Sequence, residues 1–286
     1  MISVEQLLEG QILLIDKPRQ WSSFQAVNKV KAAIRTLYGI KKFKIGHAGT
    51  LDPLATGLLL VCVGRATKEI ERLQQGEKTY SGTMVLGATT PCHDMERPID
   101  HYYPFAHISR NDIEKVLPQF TGEIEQVPPI FSAVKIDGQR AYQLARTDAA
   151  EGETRETAIT AKKVTVYEFQ ITNFRPGDPS FVPPAIDTTP LAKQTELYCA
   201  PIMQVPDGMP QIDFVIRCSK GTYIRSLARD LGIALGCGAF LSSLRRERIG
   251  SFDVTNAWTM DQIVKNLNEM EPNTPKNTFF DKDTDK

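Results

Sequence analysis

Residues 11–15 (QILLI) carry four apolar residues after Gln11 and are closed by Asp16-Lys17-Pro18, the pattern of a buried strand that stops where proline removes a ladder donor. From Ser22 onward the period changes. Val27, Val30, Ile34 and Leu37 fall three and four apart, which predicts an amphipathic helix with Ser22 or Ser23 as its cap. Residues 58–63 predict a second buried strand, 66–75 a short helix, 78–88 a strand, and 109–120 a helix capped by Ser109. In 162–172, Val164, Val166 and Phe169 stand among alternating polar positions, again strand-like. Residues 211–218 complete the strands and run into a helix over 221–235.

Between these elements the pattern breaks. Asp137-Gly138 marks a turn inside 127–146, after which a helix can begin, and the small and charged residues 147–157 suit a mobile surface loop. Residues 173–210 carry eight prolines, too many for a helix or a central strand, and read as a surface excursion. Beyond about residue 271 the chain is polar and expected to fray. Strands and helices mix without the alternation of a doubly wound sheet. The expected class is α+β, with a mixed, mainly antiparallel sheet flanked by helices.

Composition narrows the setting. The chain has 286 residues, 41% of them hydrophobic, enough for a substantial core. No apolar stretch approaches the ~20 residues of a membrane span, and the opening MISVEQLLEG has no basic leader region. Five dispersed cysteines without a C-x-x-C pair argue against disulfides or zinc and fit a reducing cytosol. Net charge is zero, but it is segregated. Residues 1–80 hold 12 Lys+Arg against 7 Asp+Glu, and residues 215–250 hold 7 against 2. Folded onto one face, these blocks would neutralise phosphates.

The same blocks carry the candidate chemistry. GHAGTLDPLATG, residues 46–57, places Asp52 in a loop bounded by Gly46, Gly49 and Gly57, stiffened by Pro53 and followed by a buried strand. By residue type alone this suits either an ordinary Asp-Pro turn or a presented nucleophile. It is no phosphate loop, since both G-x-x-x-x-G-K-[ST] and G-x-G-x-x-G are missing, and a nucleotide cofactor is not expected. In SKGTYIRSLARDLG, residues 219–232, Tyr223 and Arg225 stand two apart; on an extended run both would share one face, able to stack on a base and hold a carboxylate. Tyr80 opens a strand in Lys78-Thr79-Tyr80, and His47 precedes Asp52 by five residues. No second ligand lies at metal spacing near it.

Together LLIDKP, GHAGTLDPLATG, KTY, SAVKIDGQRAY and CSKGTYIRSLARDLG resemble, in order and separation, the TruB-type tRNA pseudouridine synthases over roughly residues 10 to 250. The resemblance implies a pseudouridine-synthase-like catalytic domain over 1–250 with a thumb-like loop at about 127–157. The Pro-rich insertion at about 173–210 and a short C-terminal helix with a frayed tail in 251–286 depart from it, the latter being too short for a full RNA-binding PUA domain. It implies Asp52 as the catalytic nucleophile, Tyr80 as the tyrosine stacked on a flipped base, and Arg225 as the partner of the carboxylate. His47, Tyr223, Lys17, Leu244 and Asp94 are implied as pocket or RNA contacts. The implied substrate is uridine in the T-loop of tRNA, at position fifty-five, isomerised in the cytoplasm by a monomer with no cofactor, because no redox step occurs. The same chemistry on another RNA, or a tRNA-binding module without catalysis, are the competing readings. The chain departs from the family pattern at Gln20, where glycine is usual, and at Thr90-Pro91-Cys92-His93-Asp94, which stands where T-D-T-x-D is expected.

Overall fold

The computed structural model describes residues 2–130, 160–186 and 203–270, and the backbone of 135–136 and 139–140. In chain order the strands are β1 (Gln11–Lys17), β2 (Ile45–His47), β3 (Thr56–Val63), β4 (Lys78–Leu86), β5 (Ala88–Thr89), β6 (His101–Tyr102) and β7 (Gly122–Gln126). They continue with β8 (Lys135–Ile136), β9 (Gln139–Arg140), β10 (Lys162–Arg175), β11 (Gln211–Cys218), β12 (Ala239–Ile249) and β13 (Phe252–Asp253). The helices are α1 (Val4–Glu9), α2 (Ser23–Tyr38), α3 (Ile70–Gln75), α4 (Arg110–Val116), α5 (Ile224–Ala234) and α6 (Ile263–Glu269).

One sheet dominates, in the order β1-β3-β12-β4-β11-β10-β7, with β2 beside β3 and β13 beside β12. All its pairings are antiparallel except β3 with β12, so the sheet is mixed and mainly antiparallel. α2 packs Val27, Val30 and Ile34 against Leu13, Ile15, Leu59 and Val61 on one half of the sheet. α5 packs Leu227, Ala228 and Leu231 against Met84, Ile212, Phe214 and Ile216 on the other. The two halves meet where β3 runs beside β12. There Gly57 has φ +99°, and a Cβ on it would lie 2.3 Å from the Arg246 carbonyl oxygen, so this approach requires glycine.

Ser22, not Ser23, caps α2, in a reciprocal capping box with Gln25. Ser109 caps α4 in the same way with Asp112. The predicted helix over 66–75 begins as a 3-10 turn, Gly64–Glu69, before α3. After the predicted turn at Asp137-Gly138, Gln139–Arg140 are strand, with Ile136 opposite Gln139; the rest of the expected loop and helix, 141–159, lies outside the described residues. The Pro-rich segment is not wholly a surface excursion. Its first residues extend β10, Met209 is buried, and Phe181 packs against the rings of Tyr102 and Phe105. Proline excludes ladder donors but not burial. Residues 187–202 of it, and 271–286, lie outside the described residues. The segment after β12 folds back on the first strand, where Trp258 N donates to Leu14 O (2.8 Å) and Asp16 N to Trp258 O (2.9 Å).

Candidate active site

Three strand ends and one helix start converge on an open cavity of about 540 Å³, lined among others by Asp52, Tyr80, Tyr223, Arg225, Leu244 and Arg246. Asp52 comes from the loop before β3, Tyr80 from β4, Leu244 and Arg246 from β12, and Tyr223 and Arg225 from the junction of β11 with α5. Tyr223 is the extended N-cap residue and Arg225 already helical, so the pair straddles the strand-to-helix turn instead of sharing a strand face. Both still reach the cavity.

Arg225 grips Asp52 side-on. Its Nη2 donates to Asp52 Oδ1 at 3.1 Å, and its Nε lies 2.9 Å from Oδ2. The guanidinium side chain is 5% exposed and the carboxylate 36%, so one partner is fixed in the protein while the other faces the opening. Arg225 Nη1 also donates to Cys92 O (3.2 Å), and the Asp94 carboxylate stands 3.9 Å from its Nε. Burial opposes the charge on Arg225, but Asp52 and Asp94 together hold its proton more tightly than usual. Burial pushes the Asp94 carboxyl up, against the pull of Arg225. Asp94 is only 5% exposed and opens on a small crevice behind Asp52, not on the cavity.

The backbone on both sides of Asp52 is tied down. Ser23 Oγ accepts from Leu51 N (2.9 Å) and donates to Leu51 O (3.2 Å). Pro53 O accepts from Gln20 N (2.9 Å) and from Lys17 Nζ (3.2 Å), which also donates to Pro18 O and Trp21 O. Gln20 adopts φ +64° to make this turn, the left-handed conformation that explains the family's glycine there. Lys17 is fully buried, and burial lowers its pKa to about 8. It therefore supports the loop from behind and does not line the cavity. Arg246, 1% exposed, donates to Leu58 O (2.8 Å), Gly49 O (3.0 Å) and Thr50 O (3.4 Å), lacing both arms of the loop together.

His47 ends β2 at the back of the same loop, where burial lowers its pKa; it does not line the cavity. Tyr80 is directly opposite Arg246 across the ladder; burial raises its phenol pKa while Arg246 opposes that shift. Lys78 lines the cavity with its ammonium donating to Gln74 O and Gly76 O, and burial lowers its pKa to about 8. Tyr223 is held by Gln126, whose side chain accepts from Tyr223 N (2.7 Å) and donates to Tyr223 O (3.1 Å). Beside it Ser226 Oγ and Arg229 Nη2 donate to Val127 O, so the start of the expected thumb is pinned to α5.

Sequence reasoning thus brings Asp52, Tyr80, Tyr223, Arg225 and Leu244 to one cavity and leaves Lys17, His47 and Asp94 behind it. It passes over Ser23, Gln126 and Arg246. Arg246 stands two residues after Leu244, in a stretch where the apolar pattern predicts no strand, so nothing local marks it for burial. Among the described residues no group of His, Cys, Asp and Glu is placed to hold a metal ion. Nor is any described helix long and apolar enough to cross a membrane.

The described geometry meets known proteins at several points. Residues 35–182 match the model of the TruB family pseudouridylate synthase N-terminal domain, and residues 225–277 that of the tRNA pseudouridylate synthase B C-terminal domain. The tRNA pseudouridine synthase B of Flavobacterium johnsoniae is 49% identical over 254 residues, 88% of this chain and 94% of its own length. That of Phocaeicola vulgatus is 42% identical, covering 92% and 95%. Among solved structures, a Cbf5-Nop10-Gar1 complex matches with a TM-score of 0.59 at 23% identity, covering 93% of this chain. An archaeal box H/ACA sRNP Nop10-Cbf5 complex matches at 0.54 and 22%, covering 91%. This chain spans only 58% and 54% of the lengths of those chains, and the likeness shows the shared fold. On the strength of the family models and the relatives that it matches nearly end to end, the chain belongs to the TruB family of tRNA pseudouridine synthases.

Proposed function

We propose that this chain isomerises uridine to pseudouridine in the T-loop of tRNA, at position fifty-five, with Asp52 as the nucleophile acting on a flipped-out base. The observation that carries this reading is the Arg225–Asp52 pair at the floor of a cavity walled by Tyr80 and Tyr223. The reaction breaks the N1–C1′ bond, turns the uracil and rejoins it through C5. Atoms balance within the nucleotide, so neither a redox cofactor nor a metal has a step to perform. A carboxylate serves either by attack at C1′, as in a retaining glycosidase, or by addition to C6 of the ring. Both routes need the acid aimed at the nucleotide, which a buried bidentate guanidinium provides. The uridine leaves its stack to enter the cavity, and a tyrosine face replaces the lost stacking with ~1–3 kcal/mol.

The remaining assignments follow from this one. Tyr80 is the base-stacking tyrosine, and Tyr223 and Leu244 are the walls of the uracil pocket. Lys17, His47 and Asp94 act on the substrate through the loop and the arginine they support. Residues 1–250 form the catalytic domain, with the thumb at about 127–157 closing on the T-arm, and the enzyme works as a cytoplasmic monomer.

The test is tritium release from a tRNA transcript labelled at uridine C5, with Asp52→Asn beside the wild type, followed by nearest-neighbour mapping. Release by the wild type alone, mapped to the T-loop, is expected. Equal release from both proteins would remove Asp52 from the chemistry. Release mapped to another uridine would refute the T-loop assignment.

A further inference from the structure

The helices α1, α2 and α4 close their own N-termini. In each, the N-cap backbone N–H donates to a side chain three residues later: Ser3 N to Gln6 Oε1 (2.8 Å), Ser22 N to Gln25 Oε1 (2.7 Å) and Ser109 N to Asp112 Oδ2 (3.2 Å). α5, which carries Arg225, is built differently. Its N-cap residue is Tyr223, whose side chain makes no cap bond to the helix. The residue three further on, Ser226, turns its hydroxyl to Val127 O instead (2.9 Å). The acceptor comes from Gln126, 97 residues away in the chain. Gln126 Oε1 accepts from Tyr223 N at 2.7 Å, and its Nε2 donates to Tyr223 O at 3.1 Å. One side chain thus holds both backbone polar groups of the N-cap residue.

Gln126 is itself fixed. It is the last residue of β7, stands opposite Lys162 of β10 and is 2% exposed. β10 lies beside β11, the strand that leads into α5. The sheet therefore presents the Gln126 amide to the start of the helix. The next residue, Val127, begins the expected thumb, and its carbonyl oxygen accepts from Ser226 Oγ and Arg229 Nη2 (3.1 Å). Between them residues 126 and 127 make four hydrogen bonds to the first two turns of α5.

The backbone that this amide holds carries two residues of the cavity. Tyr223 is extended, at φ −101° and ψ 110°, and Arg225 follows two residues on, already helical. A rotation at the N-cap would swing the Tyr223 ring and shift the backbone from which Arg225 reaches Asp52. The first N–H groups of a helix find no acceptor inside it, so an N-cap without its partner is free to turn or fray. Resting on the function proposed above, we infer that Gln126 is a positioning residue for the reaction: from the root of the expected thumb it supplies the cap that α5 does not make for itself, and so sets Tyr223 and Arg225 against Asp52.

The test measures single-turnover tritium release at saturating tRNA, together with tRNA affinity, for Gln126→Met beside the wild type and Gln6→Met. Methionine keeps the unbranched reach of glutamine and makes neither bond. A displacement of ~1 Å at a reacting group costs ~100-fold, so the saturated rate of Gln126→Met falls by ~10- to 100-fold. Its tRNA affinity, carried by phosphate contacts, stays within ~2-fold of the wild type. Gln6→Met loses the equivalent bond on α1 and keeps the wild-type rate. Gln126→Glu keeps the acceptor for Tyr223 N and loses the donation to Tyr223 O, so its rate lies between those of wild type and Gln126→Met; it carries the test if the methionine variant does not fold. A wild-type rate in the folded Gln126 variants overturns the assignment. An equal slowing in Gln6→Met also overturns it, since any lost cap would then do the same. Weakened tRNA binding with the saturated rate kept would give Gln126 to RNA binding instead. A wild type that binds tRNA but releases no tritium overturns the proposed function itself, and the positioning role falls with it.

Discussion

Arg246→Met isolates the contribution of a residue that touches three carbonyls on either side of Asp52, at Gly49, Thr50 and Leu58, and is itself almost fully buried. Methionine keeps the volume and the unbranched reach, so the change reports lost hydrogen bonds more than a cavity. Two of the three bonds, to Leu58 O at 2.8 Å and Gly49 O at 3.0 Å, have good length; the third, to Thr50 O at 3.4 Å, is weak. A buried acceptor left unmade costs ~1–3 kcal/mol, so the expected loss is about 4 kcal/mol. At ~2–4 °C per kcal/mol for a chain of this size, the melting temperature drops by ~8–16 °C. Activity suffers separately. Gly49 and Thr50 immediately precede the Asp52 turn, and a misplacement of ~1 Å at a reacting group costs ~100-fold. Thermal unfolding and single-turnover tritium release below the variant's melting range read the two effects. Arg246→Lys keeps the charge but replaces a planar fork by a point donor, so it recovers part of the stability and little of the rate. A methionine variant that melts within ~1 °C of wild type and turns over at the same rate would refute the idea that Arg246 aims the loop.

The close crossing of β3 and β12 predicts that Gly57→Ala is worse still. Left-handed strain of ~1–3 kcal/mol adds to a Cβ 2.3 Å from Arg246 O, and a denaturant midpoint no lower than that of Arg246→Met would contradict the geometry. His93, held at φ +60° with its pKa lowered to about 4 by burial and by Arg229 and Arg225, gives an acid limb. Unfolded histidine titrates near ~6.5 and so binds more protons than the native one between these values; stability is full above ~6.5 and is lost as pH falls toward 4. His93→Asn, which tolerates the same backbone, should flatten this limb in chemical denaturation measured from pH 7 to 4; an unchanged limb would sink the assignment.

The loop around Asp52 is held by tertiary hydrogen bonds from four separate segments. Ser23, Lys17, Gln20 and Arg246 satisfy backbone groups from Gly49 to Pro53, and Arg225 fixes the carboxylate. Such preorganisation means the site need not reorganise when charge develops on it. Asp94, behind Arg225, places a second carboxyl group beside the guanidinium without facing the cavity.

The sequence by itself determined what acts over a few residues. The pattern of apolar positions placed α2, β3, β11 and α5, and side chains that reach the nearest free N–H marked Ser22 or Ser23, and Ser109, as caps. It also held the candidate chemistry, because an acid between glycines and a Tyr-x-Arg run can each be read within a few residues. Only the tertiary structure decided who holds that chemistry in place. Ser23 meets Leu51 across 28 residues, Gln126 meets Tyr223 across 97, and Arg246 meets Gly49 across 197. The last of these exists because β12 lies beside β3, and no local propensity encodes strand order. Buried carbonyls require donors from whatever segment the packing brings near, so the identity of the donor is fixed only once the whole sheet has formed.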